Sequence, residues 1–338
     1  MNDKGRHRKI VIFLTIMLIA CALISLSLGR YSMSPVDVVR TLLHSLGFDI
    51  EHDPMMDSVL YAIRIPRVAS AAVIGAMLAL AGCVYQGVFQ NPLVSPDILG
   101  VSQGAGMGAA LAIMLGIGLA SVQLFAFLGG LLAVFLTTML PKVMKNDSNL
   151  MLVLSGIIVQ GFMCSILSVM KFMADAETEL SAIVFWQMGS VADVSYPQLT
   201  MISVVFVVCS IFMLLASWRL NILSFGDTEA KSLGVNVKAV RALFLLGASL
   251  LTASAVSVSG TIGWVGLIIP HASRLIVGSD NTKLIPVTML VGGIFMMIID
   301  TLSRVLTTVS IPLSVLTGLV GAPFYAWLLY KQKAKVSQ

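Results

Sequence analysis

Runs of about twenty apolar residues, broken by short polar connections, recur along the whole of this 338-residue chain. Twenty residues of α-helix, each rising 1.5 Å, cross a hydrocarbon layer about 30 Å thick. Inside that layer every backbone N–H and C=O must be bonded within the protein, which leaves helices and closed barrels as the two ways to span it. Barrel strands alternate apolar and polar residues, and the runs here do not alternate. The chain therefore reads as an all-α, polytopic membrane protein. Its 11% charged and 58% hydrophobic residues exclude an ordinary soluble domain.

The apolar segments predict spans over 10–28, 67–88, 99–119, 124–143, 150–173, 199–218, 237–258, 284–302 and 313–330. A tenth, 266–277, is too short to cross unaided, so the expectation is about ten transmembrane helices in a single domain over 1–338. The first run follows Lys4, Arg6, Arg8 and Lys9 as a signal peptide would. Its apolar part is longer than a signal h-region and no A-x-A site follows, so it reads as a span. Cys21, Cys83, Cys164 and Cys209 sit within apolar runs with no C-x-x-C spacing and read as small hydrophobes, not as a metal or disulfide framework.

Placing the N-terminus in the cytoplasm partitions the charge. Fifteen of the 21 basic residues and six of the sixteen acids then fall inside, while Arg30, Arg40, Arg64, Arg67, Lys171 and Arg304 fall outside. The outer acids include Asp49, Glu51, Asp53 and Asp57 and the trio Asp175, Glu177 and Glu179. This asymmetry obeys the positive-inside rule and puts both termini in the cytoplasm. It also accounts for the net charge of +5 without invoking nucleic acid. The longest polar connections, 29–62, 174–198 and 219–241, are too short for an appended soluble domain. No G-x-x-x-x-G-K-[ST] occurs, so any ATP used must be handled by another subunit.

Four polar or glycine-rich stretches interrupt the apolar pattern. In NPLVSPDILGVSQGAGMG, Asn91 to Gly108, Pro92 and Pro96 stop one helix and start the next, with Asp97 in the first turn of the new one. Gly100, Gly104 and Gly108 then recur on one face, which suits close helix packing or the wall of a wide pathway. In FGDTEAKSLGV, Asp227 or Thr228 can cap a short helix through Ser232 that Gly234 closes; a capped helix projecting from a membrane domain suits partner docking or, failing that, lies on the headgroups. Arg64-Ile-Pro-Arg67 and Arg304, one turn after Asp300, stay outside against the charge bias; they read as snorkelling side chains with a local Asp300–Arg304 pair at i,i+4, or as a site for an acidic partner or anionic solute. In SGTIGWVGLIIPH, Gly263, Gly266 and Pro270 permit a broken or re-entrant backbone, and the lone His271 reads as structural. H-E-x-x-H, G-x-S-x-G and paired intramembrane carboxylates are absent, which argues against an enzyme.

Taken together, RIPR (64–67), QNPLVSPDILGVSQGAGMG (90–108), FWQMGS (185–190), GDTEAKSLGV (226–235), SGTIGWVGLIIPHASRLIVGSD (259–280) and DTLSR (300–304) resemble the FecCD-type permeases. These are the transmembrane subunits of type II ABC importers, which carry ferric siderophores, haem, cobalamin and related chelates. The resemblance implies a type II ABC importer permease fold in a bacterial or archaeal inner membrane, with a second permease copy, two cytoplasmic ATP-binding subunits and an outer solute-binding protein as partners. ATP and Mg would be held by the ATPase, with no cofactor in this chain. The resemblance further implies that the segment 221–241, through Gly226, Asp227, Glu229, Ala230, Leu233 and Gly234, couples to the ATPase. Asp227 replaces the usual Glu of the family's G-E-x-A pattern. Arg64, Arg67 and Arg304 resemble the arginines that dock the binding protein. Asn91, Pro92, Pro96, Gly100, Gly104, Gly108, Gly263, Gly266 and Pro270 fall to the pathway or helix packing, and the helix 150–173 and the last helix resemble pathway-lining and dimer-forming elements.

The function expected is thus import of a metal chelate by alternating access, ferric siderophore first, with cobalamin, haem or molybdate as alternatives. An ion-coupled secondary transporter is the rival from another class. It calls for acids or histidines at mid-membrane, whereas nearly every ionisable side chain here maps to a span end. A scaffold without transport activity leaves the broken segment at 263–270 without a purpose.

Overall fold

A computed structural model describes residues 3–29, 31, 33–45, 47–48, 53–146 and 148–336. Arg30, Asp49 and Glu51 of the expected outer charges lie outside the described residues. The described chain is helical throughout: α1 (Asp3–Ser27), α2 (Pro35–Ser45), α3 (Pro54–Ser58), α4 (Ile65–Phe89), α5 (Val101–Met114), α6 (Leu119–Val143), α7 (Asn149–Met173), α8 (Glu179–Met188), α9 (Tyr196–Leu223), α10 (Asp227–Ser232), α11 (Val237–Ser259), α12 (Val265–Val277), α13 (Asn281–Val305) and α14 (Leu313–Val336). A π-helical turn, Val59–Arg64, joins α3 to α4, and a 3-10 turn, Pro96–Leu99, precedes α5.

Among the described residues seven helical stretches are long and apolar enough to cross a membrane, and three shorter apolar ones, Val101–Met114, Val265–Val277 and Leu313–Trp327, bring the apolar helices to ten. The centre is α4, apolar all round and buried along most of its length. It packs against α13, α11, α12 and α9, while α5 and α6 pair beside it and α7 leans on both. The closest approach explains two glycines: a Cβ on Gly82 would stand 1.9 Å from the Gly266 carbonyl oxygen. Only glycine lets α4 and α12 meet backbone to backbone there.

Two polar connections hide elements that the apolar pattern does not mark. Within 29–62, α2 is held by Ser34 and Asp37, each side chain taking the other's backbone N–H (2.9 and 3.1 Å). Within 174–198 lies α8, apolar but too short to register as a span. The π turn before α4 follows from Pro66, which can neither donate to the Ala62 carbonyl nor sit under it; the Ile65 N–H reaches back to Leu60 instead. Span 99–119 also shortens to α5, since 92–100 climbs back into the bundle before the helix begins.

Candidate functional site

The loops gather at two ends. One holds 90–95, 144–146, 221–236 and 278–281, where Asn221 Nδ2 donates to Asp280 Oδ1 at 2.7 Å and Gln90 donates to the Leu223 carbonyl. It carries most of the described basic residues and is called the basic end. The opposite end holds the described residues of 28–64 together with 306–312, with Tyr196 donating to the Tyr61 carbonyl at 2.7 Å.

At the basic end α10 stands between α9 and α11. Its N-cap is Gly226, not Asp227 or Thr228 as the capping rule suggested. Asp227 is instead drawn sideways to Arg241, whose Nη2 lies 2.8 Å from Oδ1, so the carboxylate fastens the start of α10 to α11. Gly234 does close the helix: at φ +76° its N–H bonds the Lys231 carbonyl (3.0 Å) while the Val235 N–H bonds that of Ala230 (3.1 Å). Ala230 is fully buried beneath, and Phe225 and Leu233 stand 68% and 63% exposed on either side. Glu229 is exposed as well. The result is a short projection, pinned at both ends, that presents two apolar side chains and an acid outward.

The corner Asn91–Gly100 is not a simple surface turn. Asn91 Oδ1 accepts from the Leu93 N–H (2.9 Å), and Pro92 is exposed. Pro96, however, is buried against Gly266, at the level where α12 crosses the middle of α4. Asp97 accepts from the Ser102 hydroxyl, so the one acid of this corner bonds the first turn of α5. Gly100 is the N-cap of α5 with φ +78°. Gly104 and Gly108 face α6, where a Cβ would come within 2.3 Å of the Gly129 carbonyl and 2.0 Å of that of Phe125. Of the two readings of this face, close helix packing is what the geometry displays.

Gly263 faces open space at the α11–α12 break, and Pro270 is buried within α12. Beside Gly263, Trp264 takes φ +72°, a left-handed conformation uncommon for a bulky side chain, with its ring against Gly318 and Gly321 of α14. His271 is buried edge-on to Tyr325, ring centroids 6.4 Å apart, in keeping with a structural role.

Just above that break, three elements far apart in sequence are tied through backbone atoms. Ser190 N–H bonds the Ser259 carbonyl (2.8 Å), Leu313 N–H bonds that of Gly189 (3.0 Å), and the Ser314 hydroxyl bonds that of Met188 (2.7 Å). The ends of α8 and α11 and the start of α14 thus move together. Sequence reasoning saw FWQMGS and SGTIG as separate blocks; the glycines at 189 and 260, each with positive φ, were the available signal.

The three arginines at the opposite end meet as one cluster, but facing inward. Arg67 Nε donates to Asp300 Oδ1 at 2.8 Å, and Arg304 Nε lies 3.4 Å from Oδ2 of the same carboxylate, which is fully buried. Arg64 donates to the carbonyls of Leu26, Ser27 (2.9 Å) and Tyr31. Arg304 donates to those of Leu28 (2.8 Å) and Ser25. All but that of Tyr31 are acceptors at the C-terminal end of α1, where a cation also suits the helix dipole. A local Asp300–Arg304 pair at i,i+4 was one expectation, and that pair is present; guanidinium groups reaching outward were the other. Instead Arg64 is 4% and Arg304 9% exposed, because capping α1 and pairing with Asp300 satisfies them inside the chain.

No group of three or more His, Cys, Asp or Glu side chains that would hold a metal occurs among the described residues. What the geometry defines is an all-helical, multi-pass membrane protein with a short exposed helix projecting at one end and a broken, small-residue core.

Comparison with known proteins gives the particular kind. The model of the FecCD transport family matches residues 17–331, and the chain belongs to that family. It is 43% identical, over 97% of both chains, to the molybdate import system permease protein MolB of Haemophilus influenzae. It is 36% identical to a probable iron chelatin transport system permease protein of Helicobacter pylori, over 91% of this chain and 92% of that one. Among solved structures, a metal-chelate type ABC transporter in an inward-facing conformation superposes with a TM-score of 0.87 at 41% identity, covering 96% of this chain and 99% of that one. The chain is accordingly a permease subunit of an ABC importer with the type II fold, a family of membrane subunits that are not themselves enzymes.

Proposed function

We propose that this chain moves molybdate or a similar metal oxyanion inward by alternating access, driven by a separate ATPase subunit that docks on α10. The observation that carries the ATP-driven reading is the projection itself: a helix locked by the Asp227–Arg241 pair and Gly234, presenting Phe225, Glu229 and Leu233 outward. A rigid, exposed lever transmits a push, whereas an interfacial helix would lie its apolar face on lipid. Molybdate is favoured by the 43% identity to a permease named for that cargo. Ferric siderophore, the first expectation from sequence, is the second reading, favoured by the relative named for iron chelatin and by the metal-chelate type structure.

In this reading the basic end faces the cytoplasm, as the positive-inside rule requires. A second permease copy covers the face of α7 that bears Ile157, Ile158 and Phe162, all exposed in the single chain. An outer binding protein delivers the solute at the opposite end. Three arginines against one aspartate leave excess positive charge just beneath that surface, so Arg64, Arg67 and Arg304 attract an acidic partner through their field more than by contact. The mechanical step runs from α10 through α11 to the tie of α8, α11 and α14, where Gly263 and Trp264 flank the break.

The test is uptake of labelled molybdate, ferric siderophore, haem and cobalamin into vesicles holding this permease with its ATPase and binding protein. ATP-dependent molybdate uptake supports the proposal, and ATP-dependent siderophore uptake moves the second reading to first. Uptake that follows an ion gradient without ATP would refute both.

A further inference from the structure

At the basic end the helices α6, α7 and α11 diverge and leave a cavity of about 630 Å³. Its inner wall is Leu131, Val134, Leu152 and Leu245, and its rim is Lys142, Lys238 and Arg241. We propose that this cavity binds an anionic phospholipid, one acyl chain inside and the phosphate on the basic rim.

The two halves of the cavity have opposite chemistry in the order that a phospholipid has. Along α6 the apolar floor at Leu131 and the cation at Lys142 are eleven residues apart, about 16 Å of helix, comparable to much of an extended acyl chain. All three charged lining residues are basic. At a leaflet surface such a cluster attracts anionic headgroups, each Lys or Arg adding about a factor of five in affinity. The mouth is continuous with a lipid-type surface: Leu124, Leu128, Leu132, Phe135 and Met139 form an exposed stripe down α6, and Leu246 is exposed across from it on α11. A tail can therefore slide in sideways without leaving hydrocarbon. The rim is also wired to the docking projection, because Arg241 holds Asp227 at 2.8 Å. A headgroup that draws on Arg241 loosens the start of α10, so the bound lipid tunes how stiffly that helix is held.

The experiment reconstitutes the full chain together with its ATPase subunit in nanodiscs of equal phosphatidylcholine and phosphatidylglycerol and counts retained lipids and subunits by native mass spectrometry. Wild type should keep phosphatidylglycerol preferentially. Lys142→Gln with Lys238→Gln, both exposed positions, should cut that preference about twentyfold to thirtyfold while the chain still elutes as a folded species. Leu131→Trp, which fills the floor, should lose retained lipid of both kinds while the chain still elutes as a folded species. Equal retention in all variants would overturn the site, and so would loss of the ATPase subunit from the lysine double variant with its lipid unchanged, since the rim would then belong to a protein interface. If Leu131→Trp fails to fold, the lysine pair alone decides the matter.

Discussion

A single carboxylate, Asp300, carries much of the opposite end. It pairs with two of the three converging guanidinium groups, those of Arg67 and Arg304, and it is fully buried. Removing one partner of a buried ion pair costs far more than the pair contributes, because the remaining charge stays desolvated. Asp300→Asn should therefore lower stability by about 3–5 kcal/mol, read as a fall in unfolding temperature in detergent, and adding Arg67→Met should restore part of it. An unchanged unfolding temperature would mean that the arginines are solvated and available for direct docking after all. A second residue-scale case is Gly82. A methyl there meets the Gly266 backbone, which cannot yield without moving α12, so Gly82→Ala should cost more than about 3 kcal/mol, whereas Gly263→Ala, facing open space, should leave stability unchanged. Thermal unfolding of the two variants side by side checks this.

At the scale of elements, α10 is the case where local rules and structure nearly agree. Its existence and its end at Gly234 were readable from acid-rich start and glycine stop; its cap was not, because Asp227 had a better partner in Arg241, fourteen residues on and one helix away. The same limit explains the arginines: spacing places them at a span end, but only the meeting of α1, α4 and α13 determines that they point inward. The long spans were legible because twenty apolar residues admit few alternatives, and α8, α2 and the π turn were not, since each is short and set by tertiary contacts. For α10, Leu233→Ser should abolish ATP-driven uptake while leaving the unfolding temperature unaltered, because the side chain touches little of its own chain. Uptake at the wild-type rate would remove the lever role. For α2, the Ser34 hydroxyl and N–H, with Arg40 in a lesser part, hold the Asp37 carboxyl below the usual carboxylate range. A depressed folded-state value stabilises above the unfolded value of about 3.9 and is lost as pH falls through the lower one. The loss of stability in Ser34→Ala should then be seen at neutral pH and vanish under acid, which a pH series of unfolding temperatures measures.

For the molecule as a whole, what matters is which end faces the cytoplasm, because the lever, the lipid cavity and the outer partner all take their meaning from it. The charge pattern is one-sided: Lys142, Lys145, Arg219, Lys231, Lys238, Arg241 and Lys283 lie toward the end that holds α10, while Asp53, Asp57, Asp175, Glu177 and Glu179 lie toward the other. Lysine and arginine resist translocation during insertion, so the first set should stay inside. Thiol labelling tests this directly. Leu233→Cys places an exposed thiol on α10 and Thr308→Cys one on the loop between α13 and α14, also exposed. In intact spheroplasts a membrane-impermeant maleimide should modify position 308 at once and position 233 only after permeabilisation, with the unsubstituted chain reporting any background from Cys164, the exposed native cysteine among the four. The opposite pattern would invert the protein. It would place α10 where no ATPase can reach it, and the ATP-driven mechanism would fall along with the orientation.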